Sequence, residues 1–169
     1  MIVKQKFGVK IVMMPLDLEL LRRTDLFKGL SKEELGKITG ISAKESFLGG
    51  KEIFKEGDKG DKFYLILEGE VRISKIIQGV GEEALAILKK GQYFGEMSLI
   101  DEAPRSAYAI ANSSVELLVI DQRDFEKLLS EDKELAYKLL WSFVRTLAQR
   151  LRETNEKIKG FFAMSGPFK

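Results

Sequence analysis

The 169-residue chain contains no cysteine and no histidine, and these two absences remove whole classes of chemistry. Without thiols there is no disulfide framework, thiolate zinc site, iron–sulfur cluster or cysteine nucleophile, and the composition fits a reducing compartment. Without imidazole the usual serine hydrolase relay, His-ligated metal centres and His-ligated haem fall away too. Long apolar runs are also missing. The start, MIVKQKFGVKIVMMP, is interrupted by Lys4, Lys6 and Lys10, and nothing elsewhere approaches the roughly 20 apolar residues that cross a bilayer. A soluble, cytoplasmic protein without a membrane partner is expected. Charge of one sign is lacking as well: 28 Lys and Arg against 26 Asp and Glu leave a net +2, too little to draw the surface onto nucleic acid.

What remains, 44% apolar and 32% charged residues, is enough for one sizeable core with an appended helical element. After Pro15, LDLELLRRTDLFKGL and SKEELGKI carry apolar residues at helical spacing, and Ser31 with Glu34 forms a capping box, so two short helices are expected. From Ser42 to Ile120 the pattern changes to short β-rich runs broken by glycine turns. Gly69 separates two apolar runs in FYLILEGEVRISKIIQ, and QGVGEE turns the chain back into ALAIL as a hairpin. Many short antiparallel strands point to a jelly roll, sandwich or barrel.

Helical spacing returns at Asp121. DQRDFEKLL forms one short helix, and Asp132 caps a long one expected to reach about Lys159. In that helix Tyr137, Val144, Leu151 and Ile158 recur every seven residues, and so do Leu140, Leu147, Thr154 and Phe161. These are the a and d positions of a two-helix seam, which predicts a homodimer through residues 132–161. Leu139, Trp141 and Phe143 lie off that seam and could pack on the β-rich body. The other reading is a monomeric helix with one broad buried face.

The segment with chemical character is GQYFGEMSLIDEAPRSAYAIA. Gly95 permits close approach of a ligand to the backbone, the residues after it can open a helical turn whose amides face an anion, and Arg105 can clamp phosphate oxygens with its planar fork. A carboxylate, Glu96, is misplaced beside a phosphate unless it accepts from a neutral sugar hydroxyl. Sugar and phosphate together describe a nucleotide monophosphate, a cyclic one best. The plainer reading makes Glu96 and Arg105 an exposed ion pair of little consequence.

FGEMSL, followed by PRSA, resembles the phosphate-binding cassette of the cyclic-nucleotide-binding domain family, F-G-E-x-[AS]-L and then P-R-[AST]-A. FKGLSKEEL and EGDKGDKFYLILEGEVRI extend the resemblance over roughly Leu26 to Lys159. It implies a mainly β fold, an eight-stranded antiparallel jelly roll (double-stranded β-helix) with N-terminal helices and a long C-terminal lid and dimer helix. The implied divisions are an extension at 1–25, the roll at 26–130, the helix at 131–160 and a tail at 161–169.

Carried over by position, Glu96 would hold the ribose 2′-OH and Arg105 the exocyclic phosphate oxygens. Gly95, Met97 and the amides of Ser98 and Ser106 would complete the cassette. Ile73, Leu85 and Ala86 match positions that wall the base in the bacterial catabolite activator branch, or are plain core residues. AQRLRETNEKI resembles that branch's dimer helix, placing Thr154 and Asn155 where two polar residues reach the adenine amino group. The alternative for Thr154 is a seam threonine satisfied by its own backbone.

The resemblance implies a regulatory sensor of cAMP or cGMP, with cAMP favoured, that has no cofactor, no metal and no enzymatic activity and signals by moving its C-terminal helix toward a partner protein. GFFAMSGPFK after Lys159 leaves no room for the helix-turn-helix of the catabolite activator, so direct DNA binding is not expected. A metal-dependent jelly-roll enzyme would need histidines, and a phosphodiesterase carboxylates at metal spacing. Two further readings keep the fold: a ligand-free module for dimerisation or protein interaction, and the regulatory piece of a larger assembly.

Overall fold

The computed structural model describes residues 5–6, 9–10, 18–97, 100 and 103–165. Two short strands, β1 (Gln5–Lys6) and β2 (Val9–Lys10), pair with each other and precede the helices α1 (Leu18–Arg23) and α2 (Lys32–Gly40). Eight strands follow: β3 (Ser42–Phe47), β4 (Glu52–Phe54), β5 (Lys62–Glu68), β6 (Glu70–Ile77), β7 (Gly81–Lys89), β8 (Tyr93–Phe94), β9 (Tyr108–Ala111) and β10 (Val115–Asp121). The chain then forms α3 (Gln122–Glu131) and α4 (Lys133–Ser165). The eight strands make two four-stranded antiparallel sheets, β3-β10-β5-β8 and β4-β9-β6-β7, the jelly roll that the resemblance implied. Among the described residues no helix is long and apolar enough to cross a membrane.

β5 and β6 are separated only by Gly69 yet belong to opposite sheets. The crossing requires that glycine: its φ is +84°, and a Cβ there would lie 2.3 Å from the Ser114 carbonyl oxygen. β6 then returns as β7 through the expected hairpin, with Ile77 opposite Gly81.

The two faces of the first sheet build two cores. Tyr64, Ile66, Leu117 and Val119 point into the roll with Val71, Phe94, Ala109 and Ala111. Phe63, Leu65, Leu118 and Ile120 point outward against Leu21, Phe27, Leu35, Ile38, Phe125, Leu135, Leu139 and Phe143 of the helical layer. A strand covered on both faces reads as a continuous apolar run, which explains KFYLILE in β5. The edge strand β7 of the second sheet is largely exposed.

The helix ends follow their caps. Ser31 and Glu34 close the capping box, N–H of Ser31 to Glu34 Oε2 at 2.7 Å and N–H of Glu34 to Ser31 Oγ at 3.2 Å. Asp121 accepts from the Arg123 amide at 3.0 Å at the start of α3, and Asp132 from the Leu135 amide at 3.0 Å at the start of α4. α4 runs to Ser165, past the expected end near Lys159. Leu139 and Phe143 pack on the body as expected, but Trp141 does not. It is half-exposed, edge-on to Tyr137 with ring centres 6.3 Å apart. The seam residues Tyr137, Leu140, Val144, Leu147, Leu151 and Ile158 are all exposed, and the side chain of Phe161 lies outside the described residues.

Two ion pairs tie α4 to α2: Lys138 Nζ to Glu34 at 2.7 Å, and Lys37 Nζ to the cap residue Asp132 at 2.9 Å. The Lys138 hydrogen bond holds Glu34 below its ordinary pKa of 4.5, helped by the Ser31 amide. A carboxylate with a depressed native pKa stabilises the fold above its unfolded pKa and ceases to do so as pH falls through the native one. Lys138→Met is therefore expected to lower stability to urea at neutral pH, with the deficit shrinking as pH drops below 4.5. A deficit that stays constant through the acid range would show that the ammonium contributes packing alone.

Candidate functional site

β8 ends at Phe94, and Gly95 follows with φ +74°, turning the chain into the cassette. A Cβ on Gly95 would lie 2.6 Å from Nη1 of Arg105 and 2.9 Å from the Lys62 carbonyl oxygen, so the missing side chain makes room for the guanidinium. Arg105 precedes β9 and is only 4% exposed. Its Nη2 donates to the Lys62 carbonyl at 2.7 Å and its Nη1 to the Gly95 carbonyl at 3.3 Å. The fork lies over the Phe54 ring, 4.2 Å from its centre, with Tyr64 at 5.7 Å. Tyr64 stacks on Phe94 at 4.9 Å, and Phe54 leans on both at 5.8 Å.

The main chain of Arg105 is fixed by the turn between β4 and β5. Its amide donates to the Asp58 carbonyl at 2.8 Å, and its carbonyl accepts from the Gly57 amide at 2.9 Å. The EGDKGDKFY stretch thus supplies both the backbone anchor and, at Lys62, an acceptor for the fork. Burial lowers the guanidinium pKa, opposed by Tyr64, Asp61, Asp58 and Glu96, and the group stays charged.

Glu96 is 5% exposed and accepts from Nη1 of Arg150, twelve residues beyond Lys138 on α4. Arg150 also lies over the Tyr93 ring at 4.9 Å and reaches the Tyr93 carbonyl at 3.5 Å. Glu96 and Arg105 are therefore not an exposed pair: both are buried, and the ion pair of Glu96 is with Arg150.

The other expected residues are placed unevenly. Met97 and Ser106 are exposed beside the cassette, and Ser98 lies outside the described residues. Ile73 packs against the inner core and stands opposite Ala86 in the β6–β7 ladder, next to a register shift between Ile73 and Ser74. Leu85 is 54% exposed on the edge strand, so the plain-core reading is wrong for it. Thr154 and Asn155 are exposed on α4, and among the described residues neither hydrogen-bonds to a cassette side chain.

Sequence reasoning missed Phe54, Tyr64, Lys62 and Arg150. Arg150 lies within AQRLRETNEKI, four residues before Thr154, on the same helical face. That spacing was the available signal for it.

A buried carboxylate follows the glycine-opened turn inside the jelly roll, and a buried guanidinium reaches that turn from the stretch before β9. Residues 44–132 match the family model of the cyclic nucleotide-binding domain, and the chain belongs to that family. The cyclic AMP receptor protein of Thermus thermophilus is 37% identical over 135 residues, 80% of this chain and 61% of that protein. A cGMP-dependent protein kinase of Caenorhabditis elegans is 31% identical over 144 residues, 84% of this chain and 18% of the kinase. A solved cyclic nucleotide-binding domain from Methylobacillus flagellatus superposes with a TM-score of 0.77 at 31% identity, covering 86% of this chain and 82% of that one. The chain thus spans about three fifths of the bacterial receptor and under a fifth of the kinase.

The crowding at Gly95 leads to a direct expectation. Gly95→Ala should cut cyclic nucleotide affinity at least about tenfold, equivalent to ~1.4 kcal/mol, with the strand signal in circular dichroism retained. Undiminished binding would mean that Arg105 can give way to a methyl group.

Proposed function

We propose that this domain binds cAMP in its cassette and passes occupancy on through α4. Glu96 accepts from the ribose 2′-OH, Arg105 grips the exocyclic phosphate oxygens, and the amides of Ser98 and Ser106 add to that grip beside Gly95 and Met97. Ile73, Ala86 and the half-exposed Leu85 wall the base. The observation that carries the reading is the Glu96–Arg150 ion pair, which joins the carboxylate expected at the sugar to the helix expected to move. A ligand shifts a conformational equilibrium only by its different affinity for the two states, and a sugar hydroxyl competing at Glu96 supplies such a difference.

The same reading makes the protein a homodimer. The exposed apolar seam from Tyr137 to Ile158 supports pairing of two α4 helices. Thr154 and Asn155 then reach the base amino group of a nucleotide held by either copy, which selects adenine over guanine. Downstream, the exposed helix surface is offered to a partner protein, whether in trans or as the regulatory part of a larger assembly. One observation favours a ligand-free interaction module instead: Glu96 and Arg105 already have partners within their own chain.

Calorimetric titration separates these readings. Binding of cAMP that weakens by roughly 2–5 kcal/mol in Arg105→Ala, and nearly as much in Arg105→Lys, is the expected result. No binding by the unaltered protein selects the interaction module. Thr154→Ala should reduce the preference for cAMP over cGMP, and equal losses for both nucleotides would remove Thr154 from base recognition.

A further inference from the structure

β3 alternates across its sheet, and its inward face carries an unexpected residue. Phe47 packs on the apolar interior of the roll, and Glu45, two residues earlier, points the same way. It stands opposite Leu117, a member of that interior, and is 8% exposed. Its carboxylate accepts from Lys62 Nζ at 2.8 Å. Lys62 opens β5, and its main-chain carbonyl is the acceptor for Nη2 of Arg105 at 2.7 Å. The charge of Glu45 also acts on the next inward residue of β5, Tyr64, whose hydroxyl pKa is raised by burial first and by Glu45 second. Tyr64 in turn flanks the guanidinium.

We propose that Glu45 is a positioning residue for the phosphate clamp, acting on Arg105 through Lys62. The inference rests on the cyclic nucleotide reading of the cassette. Only the carboxylate end of this pair is buried: the Lys62 side chain is 34% exposed against 10% for Glu45, and a pair open to water at one end contributes little net stability, so it is not explained as core filling. Its position accounts for it. Lys62 pairs with Asp121 at the last step of the β5–β10 ladder, and just beyond it the Gln122 amide donates to the Asp61 carbonyl at 2.8 Å. Tethering its side chain to Glu45 fixes the carbonyl that aims the fork. The carboxylate also cancels the ammonium charge that would otherwise repel the guanidinium whose fork Lys62 holds. An Arg that binds phosphate through a planar fork depends on orientation as well as charge, so an unaimed fork binds less well.

The test combines Glu45→Gln, Lys62→Met and the double variant, all confirmed folded by thermal melting. Each single change should weaken cAMP binding about three- to tenfold, the range for one lost hydrogen bond, and the double change no more than either alone. Independently of any ligand, the Arg105 Nη signals in nitrogen NMR should show faster rotation about the Nε–Cζ bond in each variant. Neither reporter would respond to a purely structural pair. If a single variant fails to fold, the double variant, which leaves no unpaired charge, carries both measurements. Unchanged or tighter cAMP binding together with unchanged Arg105 signals overturns the proposal, even if Arg105→Ala abolishes binding. Should the unaltered protein bind no cyclic nucleotide, the cassette reading fails, and the Arg105 signals alone decide the positioning role.

Discussion

A guanidinium keeps its charge under ordinary conditions, so one closed off from water must be met by dipoles, rings and counter-charges on every side. For Arg105 these come from widely separated stretches: the ring of Phe54 in β4, the carbonyl of Lys62 and ring of Tyr64 in β5, and the carbonyl of Gly95 after β8. Each is a demand on the fold. β4 and β9 must pair so that Phe54 lies under the fork. The turn before β5 must present Asp58 to the Arg105 amide. Residue 95 must lack a side chain. The roll is the arrangement that meets all of these at once.

Around that centre the first sheet works on two sides. Its inner face carries the clamp and the apolar lining of the roll, and its outer face seats the helices. α4 takes part in both. Leu135, Leu139 and Phe143 belong to the helical layer, and Arg150, further along the same helix, enters the cassette to meet Glu96. One continuous element thus contributes to both the helical layer and the cassette.

Much of this was legible from the residues. Glycine turns and the period-two runs located the strands, Ser31, Asp121 and Asp132 marked helix starts, and FGEMSL with PRSA marked the cassette. What could not be read were partners distant in sequence. A main-chain carbonyl such as that of Lys62 has no side-chain signature, and the Arg150–Glu96 pair spans 54 positions. Two misreadings have local causes. Trp141 lies two residues from both Leu139 and Phe143, which puts it on the opposite side of a helix from that i, i+4 pair. Gly160 looks like an end for α4, but a helix passes through one glycine at a cost of only about 1 kcal/mol, and this one does.

The ion pairs that fasten the first turns of α4 to α2 have a mechanical consequence. With Lys138 as the fixed point, Arg150 lies about 18 Å along the axis and Ser165 about 40 Å, at 1.5 Å per residue. In the proposed signalling α4 would act as a lever with its fulcrum at one end and its load at the other. A sideways displacement at Arg150 is a little more than doubled at the far tip of a helix that stays straight. The seam residues from Leu151 to Ile158 lie farther from Lys138 than Arg150 does, so in the proposed motion they would be displaced more than Arg150.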